Sequence, residues 1–445
     1  MSKITPLSGF PEWSPANRIV EQYFLDRIRS VFELHGFASV ETRAVEPLET
    51  LLSKGETSKE VYLLRRLQAE AEEPRGAGDA QLGLHFDLTV PFARYVLENA
   101  GKLQFPFRRY QIQKVWRGER PQEGRYREFY QCDIDIVDRD TLPAHYEAEI
   151  PLVIGDVFAE LPLPKATIQV NNRKILEGFY RGLGLTDPME TMRIVDKLDK
   201  IGPKGVLAEL VAGGVSEAQA KACLALAEIS AEDGSFAEEV AKLGVTDPLL
   251  DEGLAELVAV VETAGAHSPG LCRAELKIAR GLDYYTGTVY ETQLAGYERF
   301  GSVCSGGRYD NLASSGDDRY PGVGISIGLS RLLGVLFGQN ALTASRGVPT
   351  CVLIALTAEE DRAAAMRTAA SLRARGVAVE VSPSAAKFGK QIRYAERRGI
   401  PFVWFSGPDG DSVKDIRSGD QVAADAVTWN PPADDLRPTV SGPIV

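Results

Sequence analysis

The stretch EFYQCDIDI, Glu128 to Ile136, restricts the fold more than any other part of the chain. Successive side chains of a strand point to opposite faces, so Tyr130, Cys132, Ile134 and Ile136 form one face and Phe129, Gln131, Asp133 and Asp135 the other. The first face belongs against a core. The second is either a solvated sheet surface or the floor of a polar cleft. Just before it, Arg117, Arg120, Arg125 and Arg127 stand in a loop without a lysine. The planar guanidinium fork suits bidentate contact with phosphate or carboxylate. Arginines at a mouth, Phe129 at a hinge and carboxylates deeper in make a graded site. Polyphosphate can lie under the arginines, a flat base can stack on Phe129, and a cationic amine can reach Asp135. On residues alone, that describes a nucleotide beside a small amine.

A formal net charge of -12 over 445 residues argues against nucleic-acid binding through bulk charge, so any such partner must be gripped by local patches. Five scattered cysteines and four histidines offer no zinc-site spacing and no disulfide framework, which fits a reducing compartment and no protein-built metal site. The N-terminal segment lacks the apolar core of a signal peptide and no run approaches membrane-spanning length, so a cytoplasmic protein without membrane contact is expected. No G-x-x-x-x-G-K-[ST] loop is present, and GVGISIG does not fit the dinucleotide fingerprint. A second anion site is expected at Arg331, in the first turn of a helix whose free amides and dipole favour negative charge.

The pattern along the chain predicts several cores. Ser14-Pro15 reads as a helix start, followed by Ile19, Tyr23, Phe24, Ile28, Val31 and Phe32 at helical spacing until Gly36. Strand-like text runs from Gly83 to Val137, with a short helix around Phe92 to Glu98. Between about Gly178 and Ala266 the composition turns to Ala, Leu, Glu and Lys at helical spacing, as in an inserted helical subdomain. Strands are expected again from Leu276 to Glu291 and at Val323 to Ile327, so that both halves share one sheet across the insertion. Beyond Pro349, strands alternate with helices, which predicts a separate parallel-sheet domain. The tail PPADDLRPTVSGPIV reads as a poorly ordered end.

At this point the residues resemble a family, the histidyl-tRNA synthetases among the class II aminoacyl-tRNA synthetases. VWRGERPQEGRYREFYQCDIDI is similar to the family's motif 2 and GVGISIGLSRLL to its motif 3, while RGLDYYTGTVYE and SGGRYDNL are similar to its two histidine-specific signatures. The resemblance implies a class II α+β core, an antiparallel sheet flanked by helices, with a helical insertion and a C-terminal α/β anticodon-binding domain. The implied boundaries are 1–177 and 267–340 for the two parts of the core, 178–266 for the insertion, 348–432 for the anticodon-binding domain and 433–445 for a tail.

The implied activity is ATP-dependent activation of histidine and its transfer to tRNA(His), by a homodimer using Mg²⁺ with ATP. By position, Arg117 would contact the α-phosphate, Arg125 and Arg331 the phosphate tail, and Phe129 the adenine. Gln131 and Asp135 would join Asp87 and Thr89 around the amino end of histidine, with Tyr284 and Tyr285 flanking its imidazole. Arg280 is implied as the cation beside the α-phosphate; Gly306 and Gly307 would admit the substrate to the backbone, and Arg120 and Gln122 would meet the acceptor end of the tRNA. In the last domain Lys387, Lys390, Arg393 and Arg397 form a basic helical stripe that the resemblance assigns to tRNA. Two departures stand out: Ala44 in place of the motif 1 proline, with Pro47 displaced, and His85 where many relatives have arginine. The competing reading is the non-catalytic regulatory subunit of ATP phosphoribosyltransferase, which shares the core. Retained catalytic arginines and the extra domain favour the enzyme.

Overall fold

The computed structural model describes residues 5–54, 60–65, 81–279, 284–408 and 410–443. Contacts divide the chain into two units, residues 1–11 with 27–335 and residues 12–26 with 336–445.

In the first unit a nine-stranded sheet is built from β1 (Ala38–Ser39), β2 (Phe107–Trp116), β3 (Glu128–Val137), β4 (Ala166–Asn172), β5 (Ser230–Ala231), β6 (Cys272–Glu275), β7 (Thr288–Leu294), β8 (Cys304–Tyr309) and β9 (Gly322–Ile327), in the order β1-β2-β3-β9-β8-β7-β4-β6-β5. Only the β1–β2 and β4–β6 pairs are parallel; the central strands are all antiparallel. The apolar face expected on β3 is buried completely at Cys132, Ile134 and Ile136. Its polar face is buried as well, with Gln131 at 8% and Asp133 and Asp135 at 3% exposure, which decides for the cleft floor over the solvated surface.

Sequence-distant strands share that floor. Ser326 of β9 lies opposite Asp133, and Gly324 opposite Asp135, so the chain on either side of the helical segment meets in one register. That segment holds six helices from Arg173–Gly182 to Pro248–His267, one of them broken at Gly202, where φ is +70°. Of the span Leu276 to Glu291 where strands are expected, β6 ends earlier, at Glu275, and β7 begins at Thr288; residues 280–283 lie outside the described residues. The Asn171 amide donates to the carbonyls of Leu276 (3.2 Å) and Ile278 (2.8 Å), just after β6. The expected short helix is Thr89–Asn99, here α2, and the long N-terminal helix, α1, runs Pro15–Leu34. Asn17 N–H donates to the Ser14 hydroxyl at the start of α1, and Gly36 beyond its end adopts φ +76°.

The second unit contains a five-stranded sheet of β10 (Val352–Ile354), β11 (Val379–Val381), β12 (Phe402–Phe405), β13 (Ser412–Asp415) and β14 (Gln421–Ala423), ordered β11-β10-β12-β13-β14. The first three strands are parallel as expected. The last two run antiparallel, because tight connections replace crossover helices after β12; the Trp404 indole N–H donates to Asp411 (2.9 Å) across the first of them. The tail also departs from expectation. Ala433–Leu436 is helical, Asp435 is held by both terminal nitrogens of Arg417 (2.6 and 2.7 Å), and Val440–Ser441 pairs with Thr343–Ala344.

Candidate active site

The polar row on β3 is one layer of a wider surface. Directly paired residues of an antiparallel sheet face the same way, so Arg109 and Gln111 of β2, Asp135 and Asp133 of β3, Gly324 and Ser326 of β9, and Gly307 and Ser305 of β8 lie in two adjoining rows. Two connected hollows open on these rows. The larger, about 420 Å³, is lined by Arg117, Arg125, Phe129, Gln131, Tyr284 and Arg331, together with Glu119, Glu291 and Tyr285. The narrower recess is walled by Thr89, Asp133, Asp135, Tyr309 and Gly324. Tyr285, Ser305, Gly306 and Ser326 border both.

At the mouth, Gln122 and Arg125 exchange backbone hydrogen bonds (3.2 and 2.9 Å) around Gly124, which folds the arginine loop into a tight turn. Arg125 is exposed, 3.8 Å from Glu119. Arg120 and Gln122 are exposed and line neither hollow. Arg117 is held more firmly: its Nε donates to the Phe86 carbonyl (2.9 Å) and its guanidinium carbon lies 5.2 Å from the Phe129 ring centroid. Arg331, in the first turn of α3 (Leu329–Gly338), donates to the Phe300 carbonyl and faces the large hollow from the opposite side.

Deeper in, Asp135 is already partnered. Arg109, fully buried, places Nη2 2.6 Å from one carboxylate oxygen, and the Tyr309 hydroxyl donates to the other at 2.7 Å. Arg109 also lies 4.3 Å over the Phe92 ring. Asp133 is different: its Oδ1 is buried without a hydrogen-bond partner, as is Oε1 of Gln131, whose amide nitrogen donates to Ser326 (2.9 Å). Burial pushes the Asp133 carboxyl up to about 7; the Arg109 guanidinium opposes that, the Asp135 carboxylate adds to it, the Ser326 hydroxyl opposes it and Asp87 adds to it.

Glycines set the floor height. A Cβ on Gly324 would stand 2.1 Å from Asp135 Oδ1, and one on Gly306 would stand 2.1 Å from the Gly324 carbonyl oxygen, so both positions exclude side chains. Asp87, 5% exposed, accepts from Val90 N–H (3.1 Å) and so fixes the start of α2, where Thr89 reaches the recess. It is not tied to Arg94, which goes to Glu46 and Glu98. Tyr284 and Tyr285 have ring centroids 4.1 Å apart; both pack on the cluster around Phe92 and Tyr309 while lining the large hollow, so the packing role and the cleft role coexist. Burial raises the Tyr284 phenol far above its ordinary range, which keeps it neutral.

His85 lies outside both hollows: its ring stacks on Trp116, its Nε2 is 2.8 Å from the Lys114 carbonyl, and burial lowers its pKa. Arg280 lies outside the described residues. Sequence reasoning missed Arg109, Tyr309, Ser326 and Gly324. A signal for the first was present, since Arg109, Gln111 and Gln113 alternate on β2 as the polar residues do on β3.

Known proteins share this fold and much of the sequence behind it. The histidyl-tRNA synthetase family model matches residues 9–332 and an anticodon-binding domain model matches residues 350–423. The histidine–tRNA ligase of Cutibacterium acnes is 57% identical over 99% of this chain and 100% of its own length. That of Thermobifida fusca is 53% identical, covering 96% and 98%. A crystal structure of histidyl-tRNA synthetase from Nostoc superposes with a TM-score of 0.86 at 34% identity, over 96% of this chain and 98% of that one. A Bacillus halodurans structure, described as an ATP phosphoribosyltransferase regulatory subunit/histidyl-tRNA synthetase, shares the fold at 18% identity and a TM-score of 0.70.

Proposed function

The chain belongs to the histidyl-tRNA synthetase family, and from that premise we infer how its cleft carries out the family's reaction. It activates histidine with ATP and ligates it to tRNA; full-length relatives at this identity are ligases, which sets aside the regulatory-subunit reading. The observation that carries the assignment of steps is the gradient across one sheet face, with arginines at the mouth and carboxylates on the buried floor.

In the first step a histidine carboxylate oxygen attacks the α-phosphorus in line. The new P–O bond forms as the bond to pyrophosphate breaks, and negative charge accumulates on the phosphorus oxygens. Arg117, fixed by the Phe86 carbonyl, is assigned to that charge, and a preorganised donor stabilises the transition state more than the ground state. Arg280 is assigned to the same charge from resemblance alone. Arg125 and Arg331 would hold the phosphate tail and Phe129 the adenine. The support for this is that all three line the hollow that holds Arg117. Asp87, Thr89, Gln131 and Asp135 would surround the ammonium, Tyr284 and Tyr285 the imidazole, with Gly306 keeping the backbone accessible. In the second step a hydroxyl of the terminal ribose takes the aminoacyl group; Arg120 and Gln122 are assigned to that end from resemblance, and the support is that both are exposed.

Mg²⁺ would enter with ATP and neutralise phosphate charge. Among the described residues no three His, Cys, Asp or Glu side chains form a metal cluster, whereas Glu119 and Glu291 line the large hollow. One or two carboxylates completed by phosphate oxygens and water suit this ion, so those glutamates are the residues that would hold it. A homodimer in the cytoplasm, and the division into core, insertion, anticodon-binding domain and tail at the boundaries given above, complete the proposal. No described helix is long and apolar enough to cross a membrane.

The test is exchange of labelled pyrophosphate into ATP with each of the twenty amino acids. Exchange with histidine alone is expected. Exchange with a different amino acid, or with none in folded protein, would overturn the assignment.

A further inference from the structure

Resting on that reading of the cleft, we propose that Asp133 is a further direct acceptor for the α-ammonium of histidine, adding its carboxylate to the set formed by Asp87, Thr89, Gln131 and Asp135. The Asp133 and Asp135 carboxylates differ in what already holds them. Asp135 has one oxygen on Arg109 (2.6 Å) and the other on Tyr309 (2.7 Å). Asp133, two residues along the same face, borders the same recess with Oδ1 unpartnered. Gln131, two residues further, borders the adjoining large hollow; its nitrogen donates to Ser326 and its Oε1 is likewise unpartnered. Two buried acceptors without donors carry a standing cost that a ligand bearing several N–H donors removes.

Charge favours the same ligand. The groups facing Asp133 are Arg109 from β2, Asp135 on its own strand, Asp87 from the loop before α2, Tyr309 and Cys304 from β8, and Tyr285 from the segment before β7. Among the described residues these include two further carboxylates and one guanidinium, a setting that suits an ammonium. Burial, with the Asp135 and Asp87 carboxylates adding to it, raises the Asp133 carboxyl to about 7, so its charged form is lost below that pH. Asp135 in addition holds Arg109 and Tyr309.

The test uses the full-length enzyme in the pyrophosphate exchange assay. Asp133→Asn keeps the shape, removes the charge and is expected to raise KM for histidine by about 10- to 100-fold, as removal of a hydrogen bond to a charged group does, with KM for ATP within about twofold. In the parent enzyme KM for histidine should rise as pH falls below about 7, and this rise should flatten in Asp133→Asn. The substrate's own ring titrates in both proteins, so the difference between the profiles reports the carboxylate. Imidazole-lactate, which lacks the ammonium, should inhibit parent and variant equally. An unchanged KM and pH profile, or an equal loss for imidazole-lactate, would overturn the proposal while leaving the ligase reading intact. Absence of exchange in the parent would instead remove that reading. Calorimetry of histidine binding to parent and Asp133→Asn in buffers of different ionisation enthalpy gives a second readout. Greater proton release near pH 6 is expected for the parent than for the variant, and equal release counts against the proposal.

Discussion

At the centre of the nine-stranded sheet, Arg109, Gln131, Asp133 and Asp135 are all at 8% exposure or less; at the centre of the five-stranded sheet, Val352, Leu353, Ile354, Val403 and Trp404 are all at 0%. Both sets are out of water, yet one is ionic and the other apolar. Buried ions repay their desolvation poorly, so a sheet built for stability alone would resemble the second. The first sheet therefore keeps its charges for a ligand. In the second unit a basic stripe stands outside, where Lys387, Lys390, Arg393 and Arg397 lie exposed on and beside the helix Phe388–Arg398. On the proposed function, one unit would hold its ligand inside and the other would offer a surface for the tRNA contact.

The sharpest way to break this contrast is to treat the ionic floor as if it were apolar. Arg109→Met strands Asp135 beside Asp133 and should cost about 3–5 kcal/mol in urea unfolding. A variant as stable as the parent would show that the floor does not depend on its cation. Trp404→Ala should cost a similar ~3–5 kcal/mol by opening the second core, while histidine-dependent exchange survives under conditions where the protein remains folded. Arg331→Ala is expected to raise KM for ATP roughly tenfold, because it removes a charge-assisted hydrogen bond to phosphate, with histidine affinity little changed. If both constants move together, Arg331 belongs to packing.

A smaller effect concerns pH. The Asp133 carboxyl rises from 3.8 in the unfolded chain to about 7 in the folded one, so between those values the folded state holds the extra proton and stability falls as pH rises. Asp133→Asn removes that loss, and its melting temperature relative to the parent should be higher at pH 8 than at pH 5. Smallest of all, Lys390→Gln and Arg393→Gln should each raise KM for tRNA only a few-fold, with a shallower salt dependence and unchanged exchange. An altered exchange rate would tie the stripe to the chemistry instead.

How much of this was legible follows from how each feature is encoded. Period-two alternation revealed both faces of β3, and the lysine-free loop marked the mouth, because those signals are local. The partner of Asp135 was not local: Arg109 faces it only through the β2–β3 register, and Ser326 reaches Asp133 from nearly two hundred positions away. The antiparallel end of the second sheet was missed because strand-helix alternation stops at β12, and short connections carry weaker signatures. The tail misled because chain ends are commonly poorly ordered and its partner is distant in sequence: Asp435 is clasped by Arg417.

The interleaving of β3 with β9 also has a temporal side. While the ribosome is still delivering the helical segment, β3 has one neighbour in β2 and an open edge on the other side, with acidic side chains lacking the hydroxyl and glycine backbone that will later flank them. The edge closes only when residues 322–327 emerge, so nearly two hundred residues of synthesis separate β3 from its second neighbour. Negative charge on that waiting strand discourages pairing with neighbouring chains, which gives the carboxylates a duty before any substrate arrives.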